Sequence, residues 1–209
     1  MLLIEQVDNA LQLIALVVCG LLTVFRSIST RNRIWVLLYM FYIVVTLGNL
    51  YWLLYLLLYK ETPFYSYIPD FCWAAAYLSL LLLLQHIKDK ERSRKDRKVL
   101  YLIPVFTFGM ALFYMQWGKY LTNIIDAVFM SLLLYYSIGG LLTAEKKTGR
   151  YYLYLATLFF CLVEYGLWTS SCFEWGSFLD PYYIFDVMLT LAYVLFYPAA
   201  RKAVQDELH

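Results

Sequence analysis

Read as hydrophobic and polar positions, the chain is a series of long apolar runs parted by short polar segments. Seven runs are long enough to cross, or nearly cross, a bilayer core, which takes about 20 helical residues. They lie at roughly 8–25, 34–59, 69–87, 99–117, 120–143, 151–170 and 181–199. The pattern predicts an all-α protein: one polytopic domain over residues 1–209, a seven-transmembrane helix bundle with no room between spans for a soluble domain. One proline, Pro104, falls well inside a predicted span, where a kink is expected.

Composition strengthens this reading. Of the 209 residues, 63% are hydrophobic and 15% charged, more apolar surface than a soluble domain of this size needs. The first run reads as a retained span, because Glu5 and Asp8 stand where a cleavable leader would be basic and no Ala-x-Ala site follows. The terminal "DELH" has the wrong order for an ER-retention tetrapeptide.

The cations orient the bundle. Arg26, Arg31 and Arg33, seven Lys/Arg in 86–98, three in 144–150, and Arg201 with Lys202 place 15 of 17 cations on one side. Lys60 and Lys119 fall on the other. With an odd number of spans, this bias predicts N-terminus outside and C-terminus inside, and the expected location is a bacterial plasma membrane. The basic segment 88–98 is interrupted by Asp89, Glu91 and Asp96, the mixed pattern of a solvated loop that meets anionic lipid. A cytoplasmic protein could also dock there; no nucleic-acid partner is expected.

Two stretches echo each other. "YIPDFCWAAAY" (67–77) and "YIFDVMLTLAY" (183–193) each set Tyr-Ile before an Asp and end in Ala-Tyr, 116 residues apart. "GLLT" closes helix 1 at 20–23 and helix 5 at 140–143. A basic loop follows each copy, then a helix with one embedded polar residue and a Trp a turn later: Asn49 with Trp52, and Glu164 with Trp168. Helices 1–3 therefore read as a weak parallel repeat of helices 5–7, with helix 4 as connector.

This three-plus-one-plus-three plan resembles that of the SWEET and PQ-loop sugar and amino-acid carriers, the PnuC vitamin carriers, and the seven-helix receptors and rhodopsins. The resemblance spans the whole chain but is one of architecture. No Pro-Gln pair occurs, and helices 1, 2, 5 and 6 lack the prolines those carriers use. "YIPDF" resembles the helix-3 counterion segment of microbial rhodopsins, and "DVMLTLAYVLFYPAAR" their helix 7. Thr190 stands four residues after Asp186 where that helix would carry its lysine, so a retinal Schiff base is excluded.

Carboxylates within a span are costly and face the bundle interior or a water-filled cavity. Asp70, Asp126, Glu164 and Asp186 fall at one depth, the outer third. Helical spacing sets Trp73 and Tyr77 with Asp70, Asn123 with Asp126, Trp168 with Glu164, and Thr190 and Tyr193 with Asp186. Asn49 continues the set with Thr46 and Trp52, and Glu5, Asp8 and Gln12 could share the outer face of helix 1. The candidate ligand-binding residues are thus Asn49, Trp52, Asp70, Trp73, Tyr77, Asn123, Asp126, Glu164, Trp168, Asp186 and Thr190. Other roles stand beside this one: Tyr and Trp anchor helices at bilayer interfaces, and Asp70 and Asp186 lie where an acid favours a helix N-terminus.

An acidic, aromatic pocket suits a cation, since indole and phenol faces attract ammonium groups. The expected ligand is a small cationic or nitrogenous solute such as an amine, a quaternary ammonium or an aromatic vitamin; a sugar would also stack on Trp. The expected function is small-solute carriage, with a seven-helix receptor signalling to a cytoplasmic partner as the alternative. A third class, an intramembrane hydrolase, would use Asp126 with Glu164 or Asp186. His86 and His209 both fall on the cytoplasmic side, which leaves no His-rich zinc site. No catalytic residue, metal or cofactor is assigned. Cys72 and Cys172 both fall near the outer side, where a disulfide is permitted; Cys19 and Cys161 are expected to pack within spans.

Overall fold

The computed structural model describes residues 2–63, 67–87, 98–117, 119–173 and 180–207. These residues form seven helices and no strand: α1 (Leu2–Thr30), α2 (Arg33–Tyr59), α3 (Tyr67–His86), α4 (Leu102–Tyr114), α5 (Tyr120–Leu141), α6 (Gly149–Ser171) and α7 (Pro181–Glu207). All seven are long and apolar enough to cross a membrane, α4 when its flanking 3-10 turns are included. This is consistent with an integral membrane protein. The 88–97 part of the basic segment, with the partner surface expected on it, lies outside the described residues.

Each helix turns one stripe inward and the rest outward. On α1, Asn9, Gln12, Leu16, Cys19 and Thr23 are buried, at the three- and four-residue steps of a helical face. Leu11, Ile14 and Leu21 on the same helix are each more than half exposed. A soluble monomer rarely shows so extensive an apolar exterior. Lipid is the solvent that suits it.

Six helices close into a ring. The principal packings are α1 on α2, α2 on α3, α3 on α5, α5 on α6, α6 on α7 and α7 back on α1, with α2 on α7 and α3 on α6 across it. These neighbour relations are unchanged when α1, α2 and α3 are exchanged for α5, α6 and α7. Local details follow the same exchange. Thr23 donates to the carbonyls of Cys19 and Gly20, and Thr143 donates to those of Gly139 and Gly140. The remaining helix, α4, packs on α5 and reaches α6 through the Tyr114 hydroxyl, which meets the Tyr165 carbonyl at 3.3 Å and the Thr169 hydroxyl at 2.9 Å.

Several boundaries differ from the sequence reading: α1 runs over Leu2–Thr30 where the apolar run covers about 8–25, and α4 and α7 differ too. Pro104 does not kink the middle of a span: α4 starts at Leu102, after a 3-10 turn over Lys98–Tyr101. The proline therefore occupies the first helical turn, where its missing N–H costs nothing. The interior proline is Pro198, in α7. That helix runs on to Glu207, well past the apolar run, because its polar last turns have partners. Asp206 accepts the Gly149 N–H at 2.6 Å, and Glu207 accepts from the Asn32 side chain at 3.0 Å. Asn32 itself caps α2 by accepting the Ile34 N–H at 2.8 Å. The end of α7 thus holds the starts of both α2 and α6. Gly149 permits this, since a Cβ there would run into the backbone of Lys202 and Ala203. Cys72 and Cys172 are both free thiols, as are Cys19 and Cys161.

Candidate functional site

Between the helices, on the face that carries the N-terminus, lies a cavity of about 620 Å³. That size falls within the range of small-molecule sites. Ten of the eleven residues singled out by sequence line it: Asn49, Trp52, Asp70, Trp73, Tyr77, Asn123, Asp126, Glu164, Trp168 and Asp186. Thr190 is not in the wall. Its hydroxyl accepts from Gln12 Nε2 at 3.2 Å and donates to its own helix at the Asp186 carbonyl.

The acids enter from α3, α5, α6 and α7. Glu164 is 4% exposed and Asp186 6%, with Asp126 and Asp70 half-buried. They form a sequence of electrostatic neighbours, Asp70 to Asp126, Asp126 to Glu164, and Glu164 to Asp186. Tyr77 offers its hydroxyl to Glu164. Gln12 Nε2 donates to Asp186 Oδ1 at 3.1 Å, and the Asp8 carboxyl lies beside Asp186. At the mouth, Lys119 takes a left-handed backbone (φ 51°) at the start of α5 and sets its Nζ 3.9 Å from Asp70 Oδ1. With the Glu5 carboxylate also in the wall, five acids face one lysine among the described lining residues.

Aromatic rings fill the gaps between the acids. Trp52 and Trp73 lie 6.2 Å apart between ring centres, and Trp168 meets Tyr165 at 5.5 Å and Tyr114 at 6.0 Å. Below, the cavity ends on Tyr77 and Tyr193, both 2% exposed. Beneath them Phe41, Phe160 and Phe196 make a continuous layer with ring centres 5.3–6.1 Å apart. Phe160 touches both tyrosines at 6.0 Å, and Tyr42 donates to the Tyr193 carbonyl at 2.6 Å.

Two polar atoms in this wall have no hydrogen-bond partner among the described residues: Asn49 Nδ2 and the Tyr165 hydroxyl. Their residues are 5% and 7% exposed. Buried polar atoms are seldom left unmade in a folded protein.

Sequence reasoning passed over Asn9, Tyr114, Trp117, Tyr165 and Tyr182, which also line the cavity. Asn9 lies one turn from Glu5 and Gln12 and was legible from that spacing. The tyrosines carry no such signal in a chain with 21 of them. No protein-family model matches this chain, and neither a curated protein nor a solved structure does. The likeness in plan to seven-helix carriers and receptors therefore brings no family assignment.

Proposed function

We propose that the chain is a plasma-membrane carrier for a small cationic, nitrogenous solute, which enters the cavity from the N-terminal face. The observation that carries this reading is the wall itself. Carboxylates on five different helices, two of them almost fully buried, surround one space together with four tryptophans. Such acids are expensive away from water unless a cation or a partner meets them. Indole faces add attraction for an ammonium group, and more so once it is desolvated.

The topology proposed with it sets the N-terminus outside and the C-terminus inside, from the cation bias of the loops. The exchange of neighbour relations between α1–α3 and α5–α7 supports a parallel repeat with α4 as connector. A carrier built this way would rock one triplet against the other around a central site. The aromatic layer under Tyr77 and Tyr193 is then the barrier that must part for release.

Purified protein reconstituted into liposomes tests the reading with radiolabelled choline as the probe cation. Saturable uptake that other quaternary ammonium ions block is the expected result. Saturable binding with no flux would favour a receptor over a carrier. Absence of both binding and flux for amines and quaternary ammonium ions would end the cationic reading.

A further inference from the structure

We propose that Asn49 and Tyr165 are paired donors that read a hydrogen-bond acceptor on the ligand, so that the solute is a nitrogenous cation also bearing an uncharged acceptor. The proposal rests on the cationic reading and adds a second chemical requirement to it. Its ground is independent of the acids. Asn49 Nδ2 and the Tyr165 hydroxyl are donors in the cavity wall, more than nine-tenths buried, without a partner among the described residues. An ammonium group cannot accept from either. A ligand that filled the cavity with only a cation and hydrocarbon would leave both donors dry and unbonded, which is costly.

Their placement makes them a pair. Asn49 on α2 and Tyr165 on α6 are separated by 116 residues, and the same interval relates Trp52 to Trp168, Asp70 to Asp186 and Tyr77 to Tyr193. At this interval Asn49 falls opposite Tyr165, the residue next to the embedded acid Glu164. Each has a tryptophan three residues on, about one turn along its helix. Neither helix packs principally on the other: α2 leans on α1, α3 and α7, and α6 on α5, α7 and α3. The donors therefore enter one cavity from different helices, and either can meet an acceptor on a ligand whose cationic end lies among the carboxylates. Hydroxyl, ether and carbonyl oxygens qualify, as do unprotonated ring nitrogens.

Matched probes separate this from simple cation binding. Choline and acetylcholine carry an acceptor; alkyltrimethylammonium ions of the same chain lengths do not. Binding would be measured by tryptophan quenching or calorimetry on the full chain in nanodiscs. The wild type should prefer each acceptor-bearing probe over its alkyl counterpart by about tenfold, as one or two buried hydrogen bonds imply. In Tyr165→Phe, which removes one oxygen and keeps the ring, and in Asn49→Leu, the acceptor-bearing probes should lose more affinity than the alkyl ions, so that the preference collapses. If Asn49→Leu fails to fold, Tyr165→Phe decides alone. No preference in the wild type, or equal losses for both kinds of probe in Tyr165→Phe, would overturn the donor-pair proposal and leave the cationic reading standing. Failure of every probe to bind would remove both.

Discussion

Along its long axis the bundle is two different materials made from the same helices. Towards the N-terminal face the helices part around a cavity lined by carboxylates, tryptophans and two donors without a partner among the described residues. Towards the C-terminal face they are sealed by Phe41, Phe160 and Phe196 and tied by Asp206 and Glu207. The first half keeps several polar groups in an environment that penalises them; the second fills its space with rings and bonds its helix ends, leaving Trp35 Nε1 as its buried polar atom without a partner among the described residues. Stability and function are thus held largely in separate halves. Substitutions should trade one for the other above the aromatic layer and lose stability alone below it.

The sharpest break of that comparison is Glu164→Gln. On the proposed reading it takes one buried countercharge from the bound cation, so choline binding should fall by ~3 kcal/mol or more, about a hundredfold. Asp70→Asn, at the mouth beside Lys119, should lose no more than ~1 kcal/mol. The same Glu164→Gln protein should unfold later on heating in detergent, because an amide is cheaper to bury than a carboxylate. Equal small losses of binding in both variants would make Glu164 a structural residue.

Next comes Gly149→Val, in the sealed half. A side chain there overlaps the α7 backbone at Ala203, which has no flexible end to move aside. Overpacking of this kind costs about 2–3 kcal/mol, to be read from unfolding in a detergent–SDS titration. Choline affinity of the folded fraction should not change. A variant as stable as the wild type would mean that α6 and α7 can separate at this end at little cost.

Much of this architecture is legible in the amino-acid sequence, and unevenly so. Apolar run length marks the seven spans, because a bilayer demands about the same length from each. Helical rise puts Asp70, Asp126, Glu164 and Asp186 at one depth, and all four line one cavity. Thr190 shares a face with Asp186 by spacing, yet it lies outside the wall and its hydroxyl meets Gln12 of α1, a contact 178 residues apart that no local pattern encodes. The extension of α7 is hidden for the same reason: hydropathy ends near Ala199, while the partners that stabilise the last turns are Asn32 and Gly149. The Tyr165 hydroxyl is illegible because in so aromatic a chain a tyrosine is anchor, core or site with equal ease.

A smaller effect is expected at Tyr42→Phe. The hydroxyl donates to the Tyr193 carbonyl at 2.6 Å in a site with no exposure, directly under the cavity floor. One such bond between membrane helices contributes ~1 kcal/mol. Unfolding free energy should drop by about that amount with binding intact. An unchanged midpoint would show that the floor is held by ring packing alone.

The smallest effect separates charge from contact at the C-terminal face. Asp206 accepts the Gly149 N–H at the first turn of α6, so its carboxylate supplies both a cap and a negative charge at the helix's positive end. Asp206→Asn keeps an oxygen that can accept and removes the charge; Asp206→Ala removes both. The first should cost ~0.5 kcal/mol, the usual worth of a charge at a helix terminus, and the second ~1 kcal/mol, that of a lost cap. Both losses should shrink as salt is raised, that of Asp206→Asn towards zero and that of Asp206→Ala only to the share of the bond, because screening acts on the charge and not on the bond. Unfolding of the two variants at low and high salt is the measurement. Equal losses at both salt concentrations would leave the hydrogen bond as the whole contribution, and no loss in either variant would mean that Glu207 and Asn32 suffice to hold α7 against its neighbours.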